Sequence, residues 1–205
     1  MNIAAIILAA GTSSRMPGRN KLLLPWSGKT VIECTVDSLL QSSVHEIIVV
    51  LGFEAEKIRA AMRERKVSFV TNPDYAQGMS TSIVAGVMTV SNEAQGILIS
   101  LGDLPLVTAS DLGLLISAFE QAPRATIVVP VFQGQRGNPV IFHARHKAEM
   151  LELRGDIGCK SLLTRHSRRV VEVEMANDHV VRDLDTPEAF AALSGYAQHQ
   201  IPIGG

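Results

Sequence analysis

The sequence predicts one α/β domain built on a doubly wound, mostly parallel sheet, and three observations support this prediction. Apolar runs typical of buried strands alternate with segments of helical period, which is the pattern of right-handed βαβ units. The 205 residues fit one large domain better than two small ones. Because 46% of the residues are hydrophobic and only 4% are aromatic, the core is aliphatic, as suits parallel strands buried on both faces.

The predicted elements alternate regularly through the first two thirds of the chain. Apolar runs predict strands at residues 3–8, 46–51, 67–70, 96–101 and 126–131. Three apolar stripes of helical spacing predict the intervening helices: Ile32, Val36, Leu39 and Leu40; Ile83, Val84, Val87 and Met88; Leu112, Leu115, Ile116 and Phe119. Thr108 precedes the third stripe with Asp111 three residues later, which is the spacing of a capping box.

The pattern changes after residue 131. A turn-rich stretch at 133–139 leads to a short strand at 140–142, and residues 170–174 alternate like a strand open to water on one face. These features predict a small antiparallel addition at the edge of the same sheet. We therefore expect a single domain over residues 1–195, with 132–182 as a subregion on the acceptor side and 196–205 as a loose tail.

Composition excludes several classes of protein. The formal net charge of −1 provides no global basic field for nucleic acid or for a membrane surface. No apolar run approaches the roughly 20 residues of a membrane span, and the N-terminus lacks the basic region of a secretion signal. Cys34 and Cys159 form no CxxC motif, so we expect reduced thiols in a cytoplasmic protein.

The strongest functional signal lies where the first predicted strand ends. Residues 8–15 read LAAGTSSR, and Lys21 follows shortly after Arg15. A small loop that contains glycine lets backbone N–H groups approach phosphate oxygens, so this segment predicts a polyphosphate site. It is not a dinucleotide-binding loop, because Ser13 stands where the second glycine belongs, and residues 28–30 lack the earlier glycine of a Walker A motif. An ordinary βα turn is the alternative.

Asp103 follows the predicted strand at 96–101 within the sequence Gly-Asp-Leu-Pro. Ligands of open α/β sheets bind outside the carboxyl ends of the strands, so parallel strands would bring Asp103 to the edge that carries the Gly11 loop. A carboxylate there suits Mg²⁺, which prefers oxygen ligands and bridges phosphates. The alternative is an aspartate that caps a turn.

Two further segments combine a helix start with polar groups. Gly78, Met79 and Ser80 open a predicted helix, where free N–H groups and hydroxyls could hold a base or sugar, or Ser80 could simply cap the helix. Residues 183–188 read DLDTPE, in which the proline suits a first helical position and the two aspartates could also supply a metal ligand.

Three other groups support weaker interpretations. Residues 136–139 (RGNP) and 155–160 (GDIGCK) could contact an anionic acceptor or be plain turns. His143, His146 and Glu149 recur at every third position, which is typical of a solvated helix face, and we predict no transition-metal site there. No nucleophile–base arrangement stands out, which disfavours covalent catalysis.

Taken together and in chain order, these segments resemble the MobA-like NTP transferases, and in particular their molybdenum cofactor cytidylyltransferase branch. The resemblance extends from residue 8 to about residue 193. It rests on residues 8–11, 14–16, 21–25, 78–80, 102–105, 136–139, 155–158 and 183–188.

The resemblance implies a Rossmann-like nucleotidyltransferase core and a role for each matching residue. The implied catalytic residues are Arg15, Lys21 and Asp103. The implied nucleotide-binding residues are Leu8, Ala9, Ala10, Gly11, Ser13, Arg15, Lys21, Gly78, Met79, Ser80 and Asp103. The implied acceptor-binding residues are Arg136, Asn138 and Asp156, and the implied metal ligands are Asp103 and Asp185, with Mg²⁺ as the cofactor.

One detail of the first loop separates the branches of this family. The guanylyltransferase branch tends to Leu-Ala-Gly-Gly, whereas residues 8–11 read Leu-Ala-Ala-Gly, which resembles the branch that uses CTP. Two residues depart from the family pattern. Pro17 precedes Gly18 where the pattern usually goes straight to glycine, which affects the expected reach of Lys21, and Cys159 stands where alanine is commoner.

The expected activity is Mg²⁺-dependent transfer of CMP from CTP, or another NTP, to the terminal phosphate of molybdenum–molybdopterin, with release of pyrophosphate. Two alternatives remain: a nucleotidyltransferase that acts on a sugar or polyol phosphate, and a non-catalytic module that binds or inserts the molybdenum cofactor. The resemblance also implies a molybdoenzyme or its insertion chaperone as a partner, and neither nucleic acid nor membrane.

Overall fold

A computed structural model describes residues 1–16, 18–122 and 126–198. The strands in these ranges are β1 (Ile3–Ala9), β2 (Pro25–Trp26), β3 (Lys29–Thr30), β4 (Glu46–Leu51), β5 (Ser68–Thr71), β6 (Gly96–Leu101), β7 (Ile127–Phe132), β8 (Gln135–Arg136), β9 (Val140–His143) and β10 (Val170–Glu174). The α-helices are α1 (Val31–Leu40), α2 (Ala55–Ala61), α3 (Met79–Thr89), α4 (Ala109–Gln121), α5 (Lys147–Leu151), α6 (Lys160–Arg165) and α7 (Pro187–Gln198).

The main sheet confirms the predicted α/β fold class. Its strand order is β10-β7-β9-β6-β1-β4-β5, with β8 paired to β7. Strands β6, β1, β4 and β5 are parallel, whereas β9 runs antiparallel to both β6 and β7. Because β9 pairs on both sides, it lies inside the sheet, and Val140 to Phe142 are buried. The half-exposed β10 forms an edge of the sheet.

The core consists of two apolar layers, one on each face of the sheet. Alternate residues of β1 belong to different layers: Ile3, Ala5 and Ile7 to one, Ala4 and Ile6 to the other. Helices α1 and α4 contribute to the first layer and α3 and α5 to the second. Helices thus cover both faces, as a doubly wound sheet requires.

Most predicted elements are found within one residue of their predicted ends. Strand β5 begins and ends one residue later than predicted, as does β7, and β1 extends to Ala9. Of the apolar stripes, Met88 is 72% exposed, because Ile83 and Val87 already occupy the face of α3 that meets the sheet. Leu40, at the end of α1, is also exposed.

Two capping boxes and a proline mark the starts of three helices. Thr108 and Asp111 form the capping box of α4, and Thr30 and Glu33 form one at α1. Pro187 occupies the first position of α7, and the Thr186 hydroxyl accepts a hydrogen bond from the Ala189 N–H at 3.2 Å. Helix α7 continues to Gln198, three residues into the predicted tail, and residues 199–205 lie outside the described ranges.

Within the described ranges no helix combines the length and the apolarity needed to cross a bilayer.

The capping box of α4 makes the free energy of unfolding depend on pH in the acid range. Burial raises the pKa of the Asp111 carboxyl, but hydrogen bonds from His179 and Thr108 outweigh it and lower this pKa from 3.8 to about 2. A carboxyl with a depressed pKa stabilises the fold above its ordinary pKa, and this contribution disappears as the pH falls through the folded value. We expect Asp111→Asn to lower the free energy of unfolding by about 2 kcal/mol at neutral pH.

Chemical denaturation of the wild type and of Asp111→Asn across the acid range tests this expectation. The stability difference between the two proteins should shrink between the ordinary and the depressed pKa values of the carboxyl. A difference that stays constant over this range would contradict the role assigned to Asp111.

Candidate active site

The Gly11 loop and Asp103 meet at one edge of the sheet, as the parallel strands predict. Leu8 in β1 is in register with Leu101 in β6, and the Gly102 N–H donates to the Leu8 carbonyl at 3.0 Å. The segments that follow both strands therefore leave the sheet side by side. Asp103 is 4% exposed at this point.

Local interactions fix the backbone of Lys21 beside this loop. Lys21 begins a short 3-10 helix, Lys21–Leu23, and the Asn20 side chain accepts the Leu22 N–H at 3.1 Å. The Lys21 N–H donates to the Ser13 Oγ at 3.1 Å, which ties the helix to the loop. Ser13 itself adopts a φ of 51°, a left-handed conformation that is uncommon outside glycine. The buried Leu22 anchors the same turn in the core.

The side chains at this edge form a cluster of cations and carboxylates. The Lys21 ammonium contacts the carboxylates of both Asp103 and Asp185, the latter at 2.6 Å. The Arg15 guanidinium contacts the same Asp185. Four of the predicted site residues, drawn from three distant parts of the chain, therefore lie together.

The carboxylates raise the pKa of Lys21 even though the ammonium is buried. Burial alone would lower this pKa, but Asp103 and then Asp185 outweigh it. Asp185 shows the complementary effect: burial would raise its pKa, and hydrogen bonding to Lys21 lowers it instead. Lys21 therefore remains a fixed positive charge at neutral pH.

A third carboxylate, Asp183, gives the cluster an excess of negative charge. Burial, together with the charges of Asp185 and Asp103, raises its pKa. Carboxylate oxygens with uncompensated charge are the ligands that hard divalent cations prefer. Asp103 and Asp185, which contact the same ammonium, are therefore carboxylates that suit such a cation, and Asp183 lines the same cavity.

The cluster opens into a cavity of about 620 Å³, a size typical of small-molecule sites. The cavity is lined by Leu8, Ala10, Gly11, Thr12, Ser13, Lys21, Leu22, Tyr75, Ala76, Gln77, Gly78, Met79, Ser82, Leu101, Asp103, Asp156, Asp183 and Asp185. A smaller adjoining cavity of about 230 Å³ is lined by Gly11, Thr12, Ser13, Ser14, Arg15, Lys21 and Asp185. Arg15 reaches the site from this smaller side.

The loop between α5 and α6 closes one side of the cavity against the start of α3. The Met79 N–H donates to the Asp156 carboxylate at 2.9 Å, and the Ser80 N–H donates to the Gly155 carbonyl at 3.1 Å. Gly78 is the N-cap of α3, so the alternative that Ser80 caps this helix is wrong. The Ser80 Oγ is instead buried, without a hydrogen-bond partner among the described residues.

A model of the MobA-like NTP transferase domain matches residues 5–170 of the chain. The chain belongs to this family. The match includes the Gly11 loop, Lys21, Asp103 and Asp156, whereas Asp183 and Asp185 lie just beyond it. Family membership supports a nucleotidyltransferase activity.

Two relatives of this MobA-like chain carry different names. The molybdenum cofactor cytidylyltransferase of Escherichia coli is 29% identical and covers 92% of this chain and 93% of its own. The nicotine blue oxidoreductase of Paenarthrobacter nicotinovorans is 25% identical and covers 93% of this chain and 96% of its own. Because one is named for cytidylyl transfer and the other for a redox reaction, sequence similarity at this level establishes the family and not the substrate.

Solved structures support the MobA-like fold over nearly the whole chain. A nucleotidyl transferase from Methanothermobacter has a TM-score of 0.86 and 26% identity, covering 98% of this chain and 99% of its own. A Mycobacterium tuberculosis protein in complex with manganese has a TM-score of 0.78 and 29% identity, covering 95% of this chain and 99% of its own.

Four of the residues expected in the MobA-like site line neither cavity. Ala9 and Ser80 are fully buried and support the loops from behind. Arg136 instead forms an exposed ion pair with Glu172 of β10, at 2.7 Å. The Asn138 N–H donates to the Val180 carbonyl at 2.8 Å, so the backbone of Asn138 stabilises the fold.

The larger cavity is also lined by residues that the family resemblance does not assign to the site. Asp183, one of the two aspartates that the sequence offered as metal ligands, lines it two residues before Asp185. The 3-10 helix Tyr75–Gln77, which the sequence analysis did not place in the site, lines it immediately before Gly78. Nothing local indicates that the short turn faces the cavity, because that depends on how α3 packs on the sheet.

The two departures from the family pattern have different outcomes. Pro17 lies outside the described residues, but the Lys21 ammonium reaches both Asp103 and Asp185. Cys159 is partly buried just before α6, and burial raises the pKa of its thiol to about 12. This thiol therefore stays protonated at neutral pH.

Gly78 is required where the acceptor-side loop meets α3. Its φ of 115° is rarely adopted by L-residues, and a Cβ there would lie 2.8 Å from the Gly155 carbonyl oxygen. We expect Gly78→Ala to lower the free energy of unfolding by roughly 1–3 kcal/mol and to weaken nucleotide binding. Thermal denaturation and equilibrium binding measure the two effects.

Gly134→Ala is the matched control for this substitution. Gly134 also has a positive φ, 79°, but a Cβ there would meet nothing within 4 Å. The control therefore carries backbone strain without the clash and should retain nucleotide binding. Equal nucleotide binding by the two variants would contradict a role for the close contact between Gly78 and Gly155.

Proposed function

We propose that this protein transfers CMP from CTP to the terminal phosphate of a molybdopterin-type acceptor and releases pyrophosphate. The observation that carries the proposal is the convergence of Lys21, Asp103 and Asp185 beside the Gly11 loop, in a cavity of about 620 Å³. The choice of substrates is supported by similarity to the Escherichia coli cytidylyltransferase and by the Leu-Ala-Ala-Gly loop at residues 8–11.

Transfer of this kind needs charge compensation and alignment more than covalent chemistry. An oxygen of the acceptor phosphate attacks the α-phosphorus of the nucleotide, a new P–O bond forms, and the bond to the pyrophosphate oxygen breaks. Backbone N–H groups of the Gly11 loop and the Arg15 guanidinium hold the β- and γ-phosphates. Lys21 offsets the charge that accumulates around the α-phosphorus, in a site where weak screening strengthens each contact.

We propose Mg²⁺ as the cofactor, held by Asp103 and Asp185, with Asp183 as a further carboxylate beside them. A bound Mg²⁺ supplies Lewis-acid stabilisation to phosphate oxygens. The excess of carboxylate charge around Lys21 supports this assignment, and so does the manganese complex of the Mycobacterium tuberculosis relative. Lys21 already compensates part of that charge, so the lysine and the ion would share the carboxylates of Asp103 and Asp185.

The two substrates are assigned to neighbouring parts of the cavity, which meet where the Met79 N–H donates to the Asp156 carboxylate. The nucleotide is assigned to the Gly11 loop and to the segment from Tyr75 to Met79, both of which line the cavity. The acceptor is assigned to the part of the cavity that Asp156 lines; the proposed contacts of Arg136 and Asn138 with the acceptor rest on the family resemblance alone, because neither residue lines the cavity. A molybdoenzyme or its insertion chaperone would then receive the product.

Both cysteines are unpaired, in keeping with a reducing cytoplasm.

One assay tests the reaction and its substrates. Pyrophosphate release is measured with each of four NTPs and Mg²⁺, using molybdenum–molybdopterin and a panel of sugar and polyol phosphates as acceptors. We expect release with CTP and molybdenum–molybdopterin. Pyrophosphate release only with a phosphorylated sugar or polyol would mean that this compound, and not molybdopterin, is the acceptor. Binding of the pterin without pyrophosphate release from any NTP would favour a non-catalytic cofactor-binding module.

A further inference from the structure

A group of metal-ligating side chains lies outside the candidate active site, beside the loop that carries Asp156. His146 ends the 3-10 helix Ala144–His146, and Glu149 follows three residues later in α5. His166 lies directly after α6. The sequence suggests a solvated helix face at His146 and Glu149, but His146 is only 2% exposed, and the fold brings in His166 from a later helix.

The ligand atoms of these three side chains converge on one point. The Glu149 Oε1 lies 3.4 Å from the His146 Nδ1 and 3.0 Å from the His166 Nε2. One such atom from each residue can be chosen so that all lie within 4.8 Å of one another. A tetrahedral zinc ion with bonds of about 2.1 Å keeps its ligand atoms roughly 3.4 Å apart. The observed separations are close to that requirement.

The chemistry of the group suits a borderline transition metal better than Mg²⁺. Two imidazoles and one carboxylate form a ligand set that zinc commonly accepts, with water in the fourth position. The side chains of Glu149 and His166 are 30% and 20% exposed, which leaves a path for an ion.

We propose that His146, Glu149 and His166 form a binding site for Zn²⁺. The site joins the start of α5 to the end of α6, and these two helices flank the loop that contacts the first residues of α3. An ion there would tie α5 to α6, the two helices between which this loop runs. The proposal does not depend on the transfer reaction, because the site contains none of the residues assigned to it.

A cation already contacts the carboxylate of this site. The Arg165 guanidinium lies 2.9 Å from the Glu149 Oε2, and its side chain is 61% exposed. Without an ion, Arg165 and His166 act as partners of the carboxylate. Binding of Zn²⁺ displaces Arg165 toward solvent, where an exposed arginine loses little, because surface ion pairs contribute about 0–1 kcal/mol.

The test is a titration of the full-length protein, stripped of metal with a chelator, with ZnCl₂ in the presence of excess Mg²⁺. The excess of Mg²⁺ saturates the carboxylates around Lys21, so that the remaining zinc site is counted separately. We expect one zinc ion per chain in the wild type. We expect His166→Asn and Glu149→Gln each to weaken this binding by at least about tenfold, since loss of a residue that merely supports a metal ligand commonly costs that much.

Three variants distinguish the proposed site from zinc binding elsewhere on the chain. Asp103→Asn and His45→Asn should bind zinc as the wild type does, because the first alters the candidate active site and the second an exposed histidine far from α5 and α6 in sequence. Arg165→Gln should bind at least as tightly as the wild type, because it removes the competing cation. Wild-type zinc affinity in His166→Asn, or loss of zinc binding in Arg165→Gln, would overturn the proposal.

A spectroscopic measurement keeps the proposal testable if the variants unfold. The visible spectrum of the wild-type protein loaded with Co²⁺ reports the coordination number and the ligand type directly. We expect the intense bands of a four-coordinate nitrogen–oxygen site. The weak spectrum of a six-coordinate hydrated ion, or no stoichiometric uptake, would overturn the assignment.

Discussion

Lys21→Met is expected to reduce turnover by at least about 100-fold, the range found when one preorganised electrostatic contact to a transition state is removed. Methionine preserves much of the length of the side chain and removes only its charge. The lost charge is the one that contacts Asp103 and Asp185. The side chains of Lys21 and Asp103 are mostly removed from solvent, so this ammonium acts more strongly than a lysine in water. Steady-state pyrophosphate release with the active NTP measures the effect.

The same substitution should leave two carboxylates without their shared cation. Removing the cation leaves the buried Asp103 carboxylate without its partner, which is costly, so the metal-free variant should melt at a lower temperature than the wild type. Added Mg²⁺ should restore much of that stability, because the ion binds the same carboxylates, but it should not restore turnover. This separation of stability from activity distinguishes a catalytic lysine from one that only neutralises neighbouring charges.

Lys57→Met is the matched control, because Lys57 is exposed and pairs with Glu54, and neither residue lines the cavity. It should show wild-type turnover and wild-type melting. If Lys21→Met releases pyrophosphate as fast as Lys57→Met, the role assigned to Lys21 is wrong.

The regular part of the fold could be predicted because each element depends on a local pattern. The alternation of β1, β4 and β6 with α1, α3 and α4 follows from apolar runs and helical stripes, which persist whatever the tertiary context. The position of β9 does not follow from its own residues. A short apolar strand can pair at an edge or between two other strands, and only the return of β7 and β10 to the sheet decides between these positions.

The same distinction applies to the candidate site. Gly11 and Asp103 could be placed together from sequence, because parallel strands bring their carboxyl ends to one edge. The contact between Asp156 and the start of α3 could not, since it depends on a loop that begins in the other half of the chain. His166 is a further case, because a ligand set drawn from two separate helices has no spacing that a single helix would reveal.

Asp103→Asn is expected to reduce turnover as much as Lys21→Met does, but it removes a charge assigned to the divalent cation instead of the ammonium. Asparagine keeps the shape and one oxygen of the side chain, so the fold around this 4% exposed position should persist. The variant retains the contact between Lys21 and Asp185 and loses one of the charges assigned to the divalent cation. We expect turnover to fall by at least about 100-fold, since the ion stabilises charge on the reacting phosphates.

The dependence on divalent cation identifies the cause of this loss. Wild-type protein should gain thermal stability from CTP only when Mg²⁺ is present, and Asp103→Asn should require a much higher concentration of Mg²⁺ for the same gain. Asp178→Asn is the matched control, because Asp178 pairs with Arg182 near the surface and belongs to no part of the cavity. Equal cation dependence in the two variants would exclude Asp103 as a metal ligand, whatever the change in turnover, because a carboxylate that binds the ion cannot be neutralised without shifting the concentration at which the ion binds.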